Sequence, residues 1–155
     1  LQIRQELYVR KITDGTVIDH ITPGYSLDVL KILGINGKDG EVVSVAMNVE
    51  SKQLQHKDIV KIQNRELKPS EVDKIALIAP NATINIVRNY VVSSKKVVEL
   101  PSGIRGIIKC DNRSCISNSR EPVEPKFKVD RREPIRLRCS FCGHIMERED
   151  VLKQF

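Results

Sequence analysis

Cysteine is absent from the first 109 residues of this 155-residue chain, and tryptophan is absent from all of it. The three phenylalanines lie beyond residue 126, and residues 1–100 hold only Tyr8, Tyr25 and Tyr90. Strands that read TVIDHI and DIVKI carry no aromatic, which excludes the base-stacking platform of an RNA-recognition fold there. No apolar run approaches the ~18–20 residues of a membrane span. The start LQIRQELYVRK lacks the apolar core of a secretory leader. A cytoplasmic, reducing setting is the expectation. No G-x-S-x-G, P-loop or H-E-x-x-H occurs, and His20, His56 and His144 are scattered. Nucleophilic and metal-assisted hydrolysis have no constellation to work with.

The four cysteines that do occur fall together in the last third. Cys110 and Cys115 form C-x4-C, Cys139 and Cys142 form C-x2-C, and 23 residues separate the pairs. Each short loop sets two thiolates at neighbouring vertices of a tetrahedron, and the spacer lets the pairs face each other, as one Zn²⁺ requires. Gly143 suits a tight knuckle. Two disulfides are the competing reading, but Cys139 and Cys142 are too close for easy closure, and a reducing compartment disfavours them. Four cysteine ligands leave no open position, so the metal is structural. About fifty residues bury too little surface to hold a fold alone.

The formal charge of +6 divides into +2 over residues 1–100 and +4 over residues 101–155. Four thiolates around one Zn²⁺ remove two units from the tail. Both halves are then mildly positive and mixed in sign, a solvated surface more than a footprint for a polyanion.

Strand and helix signals alternate through the first hundred residues. GTVIDHI (15–21) reads as a strand, broken by Pro23-Gly24. Leu27, Leu30, Ile32 and Leu33 recur at helical spacing, with Gly34 as the stop. Val43, Val45, Met47 and Val49 alternate as a strand, and KDIVKIQNREL supplies the next. Ser70 is placed as the N-cap of a helix whose buried stripe is Val72, Ile75, Ala76 and Ala79, ended by Pro80. TINIVRNYVV (83–92) reads as one final strand, and LYVRKI at the start reads as an extension of the first strand or as a further one. The order β-α-β-β-α-β predicts an α+β, ferredoxin-like antiparallel sheet with two helices on one face. LPSGIRGI then reads as a linker into a small β-rich, zinc-ribbon-like module, giving domains at 1–100 and 101–155. Within the module, residues 116–125 read as loop, FKVD and IRLRC as short strands, and MEREDVLKQF as a strand entering a helical turn.

Asp19 and His20, adjacent on a strand, are expected on opposite faces and so form no simple acid–base dyad. Lys61, Lys95 and Lys96 offer point charges for phosphates, and Asp19 an acceptor for ribose hydroxyls. These residues alone suggest a nucleotide pocket and go no further.

GTVIDHI, KDIVKI, LIAPNATINIVRNYVV and the C-x4-C-I-S…C-x2-C ending, in that order, resemble the regulatory chain of aspartate carbamoyltransferase over essentially the whole length. The resemblance implies a non-catalytic subunit. Its N-terminal domain would bind ATP or CTP and pair with a second regulatory chain. Its zinc domain would dock on catalytic chains that make carbamoyl aspartate for pyrimidine synthesis. Zinc is expected to order the loop Asp111–Ser114 and the segment Phe141–Met146, which are expected to contain docking residues. The implied nucleotide site comprises Lys11, Ile12, Val17, Asp19, His20, Lys61, Asn85, Val87, Tyr90, Val92 and Lys95. Asp19 would meet the ribose, and Lys95, helped by His20 and Asn85, the phosphates. Lys61 would lie by ribose and base, and backbone groups near Ile12 and Tyr90 would read the base edge. Lys11 replaces a small residue, Val87 an isoleucine, and Ser93-Ser94 a more flexible glycine. The alternative function is a zinc-ribbon nucleic-acid binder.

Overall fold

The structure, a computed structural model, describes residues 11–121 and 123–155. Residues 7–10 of LYVRKI lie outside the described part, while Lys11 and Ile12 enter the first strand as coil. The elements of the first sheet are β1 (Gly15–Ile21), α1 (Ser26–Ile32), β2 (Val43–Ser51), β3 (Gln55–Gln63), α2 (Pro69–Ile78), β4 (Thr83–Arg88) and β5 (Val91–Val97). The strand order is β2-β3-β1-β4-β5, and every neighbouring pair is antiparallel. The first four strands thus take the split βαβ arrangement.

The fifth strand corrects the reading of residues 83–92 as one continuous strand. Asn89 and Tyr90 both have positive φ, 52° and 64°, and form a two-residue turn between the paired residues Arg88 and Val91. The Asp14 carboxylate accepts the Asn89 N–H at 3.1 Å, and the Thr13 carbonyl accepts that of Tyr90 at 2.9 Å. The turn is therefore held from the residues before β1, and the apolar run folds back on itself.

Both helices cover one face. Ile18, Val60, Ile62 and Ile84 of the sheet pack in one core with Val29, Ile32, Leu33, Ile75 and Ala76. In α1 the buried stripe runs through Val29, Ile32 and Leu33, while Leu27 is exposed. Gly34 ends the helix as expected: at φ 69° its N–H reaches the Lys31 carbonyl, and that of Ile35 reaches Leu30. The start of α2 differs from the expected Ser70 cap. Pro69, with φ already fixed, occupies the first helical position, so Lys68 becomes the N-cap. The Glu71 carboxylate accepts the Lys68 N–H at 2.9 Å.

The second sheet contains β6 (Gly103–Arg105), β7 (Lys126–Arg132), β8 (Ile135–Cys139) and β9 (Ile145–Glu147) in that order, followed by α3 (Arg148–Leu152). The presumed linker LPSGIRGI is partly strand, because Ile104 is buried opposite Phe127. The inner face of this sheet, Ile104, Phe127, Leu137 and Met146, joins the same core. On α3, the Arg148 guanidinium lies 4.4 Å from the centre of the Tyr25 ring. No helix among the described residues is long and apolar enough to cross a membrane.

Candidate functional site

The four Sγ atoms of Cys110, Cys115, Cys139 and Cys142 lie within 4.8 Å of one another. The Cys110–Cys142 and Cys115–Cys139 separations are both 3.7 Å. A tetrahedron with Zn–S bonds of ~2.3 Å has an edge of ~3.8 Å, whereas a disulfide needs ~2.05 Å. All four are free thiols, so the donor set fits a tetrahedral zinc ion and excludes the paired-disulfide reading.

Local hydrogen bonding shapes both loops. In the first, the Asn118 side-chain amide donates to the Cys110 and Asn112 carbonyls at 2.7 and 2.8 Å, and the Cys115 N–H reaches Asn112 O at 3.0 Å. In the second, Gly143 turns at φ 75° and donates to Cys139 O, while Cys139 N–H meets His144 O at 2.8 Å. An Asp111–His144 contact of 2.5 Å links the loops. Burial pushes the Cys110 and Cys139 thiols up, whereas the backbone N–H of His144 brings exposed Cys142 down to about 6. Metal must therefore displace protons from the buried thiols as it binds.

The face of the first sheet opposite the helices gathers most of the residues expected at a nucleotide site. Lys61, Val17, Asn85 and Lys95 lie side by side across β3, β1, β4 and β5. Two residues further along β1, Asp19 stands opposite Thr83. Val87 pairs with Gly15 on one side and Val92 on the other, so all three share this face. Gly15 is required at that crossing: a Cβ would lie 2.1 Å from the Ile62 carbonyl. Ile12 is buried, whereas Lys11, Tyr90, Val92 and Lys95 are exposed. The Tyr90 N–H is committed to Thr13, which leaves its carbonyl as the group able to meet a base edge. Lys96, paired with Ile84, is on the helix-covered side and apart from the other lysines.

Asp19 and His20 do not take opposite faces as expected. His20 has φ 55°, and the β1–β3 register shifts between Ile18 and Ile21. This bulge turns the ring back beside Asp19, 3.9 Å from Oδ2, with Nδ1 3.1 Å from Thr83 Oγ1. The Asp19 carboxylate also accepts the His20 N–H at 2.7 Å. Its other partner was not anticipated: Lys57 Nζ lies 2.9 and 3.2 Å from the two carboxylate oxygens. The spacing Lys57, Ile59, Lys61 on one strand face was the available signal. Burial lowers the Lys61 ammonium below its usual value, with Asp19 opposing and Lys11 adding to the effect. Lys57 and Lys61 thus act on a single carboxylate, and Lys11 adds its charge near Lys61, a field that favours an added anion.

Comparison with known proteins bears on both sites. Residues 7–99 match the family described as aspartate carbamoyltransferase regulatory chain, allosteric domain, and residues 102–152 match its metal binding domain. The chain is 54% identical over 153 residues to the aspartate carbamoyltransferase regulatory chain of Korarchaeum cryptofilum, covering 98% of each. It is 57% identical over 140 residues to that of Methanothrix thermoacetophila, covering 90% of this chain and 91% of the relative. Similarity to the protein of Methanothermobacter thermautotrophicus is 56% over 151 residues, 97% and 96% of the two chains. With one family domain matching the half that carries the cationic sheet face and the other matching the half that carries the four thiols, this chain belongs to the aspartate carbamoyltransferase regulatory chains.

Proposed function

We propose that residues 1–100 bind ATP and CTP competitively on the open face of the first sheet, and that residues 101–155 dock on the catalytic chain. The observation that carries the nucleotide reading is the row Lys61–Val17–Asn85–Lys95 with Asp19 beside it. Asp19, fixed by Lys57 and the His20 amide, accepts from the ribose. Lys95, with His20 and Asn85, meets the phosphates, and Lys61 lies by ribose and base. Ile12 and the Tyr90 carbonyl take the base edge, with Val17, Val87 and Val92 as its apolar surround. Lys11 adds positive charge to the rim. The subunit works in the cytoplasm, in the pyrimidine pathway, without chemistry of its own.

Calorimetry on the metal-loaded chain tests this. Loss of one charge-assisted phosphate contact costs ~1.5–3 kcal/mol, roughly ten- to a hundredfold in affinity. Lys95→Ala is expected to weaken both nucleotides by that factor with little change in melting temperature, because Lys95 is exposed. Lys96→Ala, on the other side of the same strand, should leave both unchanged. Equal losses in the two variants, or none in either, remove Lys95 from the site. A parallel titration with RNA separates this reading from the nucleic-acid alternative.

Metal-held loops supply the docking surface. Ile116 and Phe141 stand exposed beside the cysteines, at 51% and 45%, the first just after residues 111–114 and the second within 141–146. Zinc fixes these loops when bound, and no step of chemistry passes through it. A second copy of the chain covers the apolar edge formed by Leu27, Val42, Val45 and Met47, all exposed in the single chain. Met47→Glu should shift sedimentation from dimer to monomer while nucleotide affinity stays within about twofold; an unchanged dimer places the second copy elsewhere.

A further inference from the structure

We propose that the outer face of the second sheet is an electrostatic docking surface for an acidic patch on the catalytic chain, distinct from the metal-held loops; it rests on the docking reading above. Alternation along β6, β7 and β8 buries Ile104, Phe127 and Leu137 on one face. On the other it sets Arg105 opposite Lys126, Lys128 opposite Arg138, and, past a bulge, Arg131 opposite Arg136. All three rungs place like charges directly across from each other, an arrangement that destabilises a sheet. A face that meets only water gains from rungs of opposite sign, and this one has a single such rung, Arg136 opposite Glu147 at the β8–β9 edge. The acids on the sheet answer only part of the charge: Asp130 holds Arg138 at 2.9 Å, and Glu147 is 4.0 Å from Arg131. Among the described residues Arg105, Lys126 and Lys128 have no ion pair, and all three are exposed.

The occupant is a protein surface. No aromatic is present on this face to stack a base. Asp130 and Glu147, interspersed with the cations, oppose a continuous phosphate backbone but suit a patterned protein surface. The face is also continuous with the docking loops, because β8 ends at Cys139 and β9 begins at Ile145, on either side of the second knuckle.

Lys128→Glu in the full, metal-loaded chain gives the test, since it converts the Lys128–Arg138 rung to opposite charges. The free chain should melt at a higher temperature, while association with the catalytic chain weakens about tenfold or more near 0.1 M salt. That difference should shrink as salt rises, and Lys128→Gln should fall between. A purely structural role for Lys128 cannot raise stability and lower association together. Unchanged affinity and salt dependence in Lys128→Glu, with assembly still lost on metal removal, overturn the proposal and leave the docking reading intact. If metal removal also leaves assembly unchanged, the docking reading fails as well. Binding of a single-stranded oligouridylate at physiological salt that Lys128→Glu abolishes, with catalytic-chain association unaffected, also overturns it and assigns the face to nucleic acid.

Discussion

Cys139→Ser is expected to lose the metal and unfold the second sheet while the first stays folded. Cys139 is both a ligand and the last residue of β8, where its N–H closes the knuckle onto His144. Structural zinc contributes apparent binding energies of ~10–16 kcal/mol at neutral pH. A module of about fifty residues has no apolar core able to replace that. The first sheet keeps its own core around Ile18, Ile62 and Ile75, and loses the contacts of Arg148 on Tyr25 and of Lys74 on Phe155. Limited proteolysis should therefore cut freely beyond residue 101 and leave a resistant N-terminal fragment. Metal analysis should fall from one ion per chain to none. A variant that retains one ion and one cooperative melt would contradict the four-thiolate site.

Asp58→Ala should be the most damaging single change in the first sheet, at about 3–5 kcal/mol. The Asp58 carboxylate is fully buried on β3. One oxygen accepts the Gly24 and Ser26 amides at 3.1 and 3.2 Å, and the other that of Asn48 at 2.8 Å. It thereby fixes three irregular points together: the loop entering α1, the positive-φ bulge of β2 at Asn48, and the β1 bulge, since Ile21 is its partner across the ladder. Truncation leaves three amide donors without their acceptor at once, that of Ser26 fully buried. Asp58→Asn keeps one acceptor oxygen and should recover part of the loss. Urea unfolding at constant m-value measures both; a cost below about 1 kcal/mol for the alanine variant would show that water replaces the carboxylate freely. Tyr25 sits between Gly24 and Ser26, two of the three residues whose amides Asp58 holds, and its ring meets Arg148 of α3, so this carboxylate also anchors the loop that contacts α3.

The metal centre was legible from sequence because its determinants are local: two short cysteine loops and a glycine that can turn. Most of the first sheet was legible too, through runs of β-branched residues and Pro–Gly punctuation. What escaped was set by register and by unusual φ. The turn at Asn89-Tyr90 has no glycine and lies within an apolar run, so VRNYVV read as a single strand. His20 changed face because one residue entered the left-handed region, which alternation arguments do not foresee. Lys57 became Asp19's partner only once the ladder was known. The basic outer face was invisible to a charge count, since its six cations are spread from residue 105 to residue 138 and meet only through strand pairing.

The central claim is that nucleotide bound on the first sheet alters an enzyme docked on the second. That demands unequal nucleotide binding to two arrangements of the assembly, since equal binding would shift nothing. The direct measurement is carbamoyl aspartate formation by the catalytic chain in three mixtures, each with and without ATP or CTP: alone, with the intact chain, and with the chain stripped of metal. The account predicts a nucleotide response only with the intact chain. A response that persists with the stripped chain, or none with the intact chain fully assembled, would contradict it.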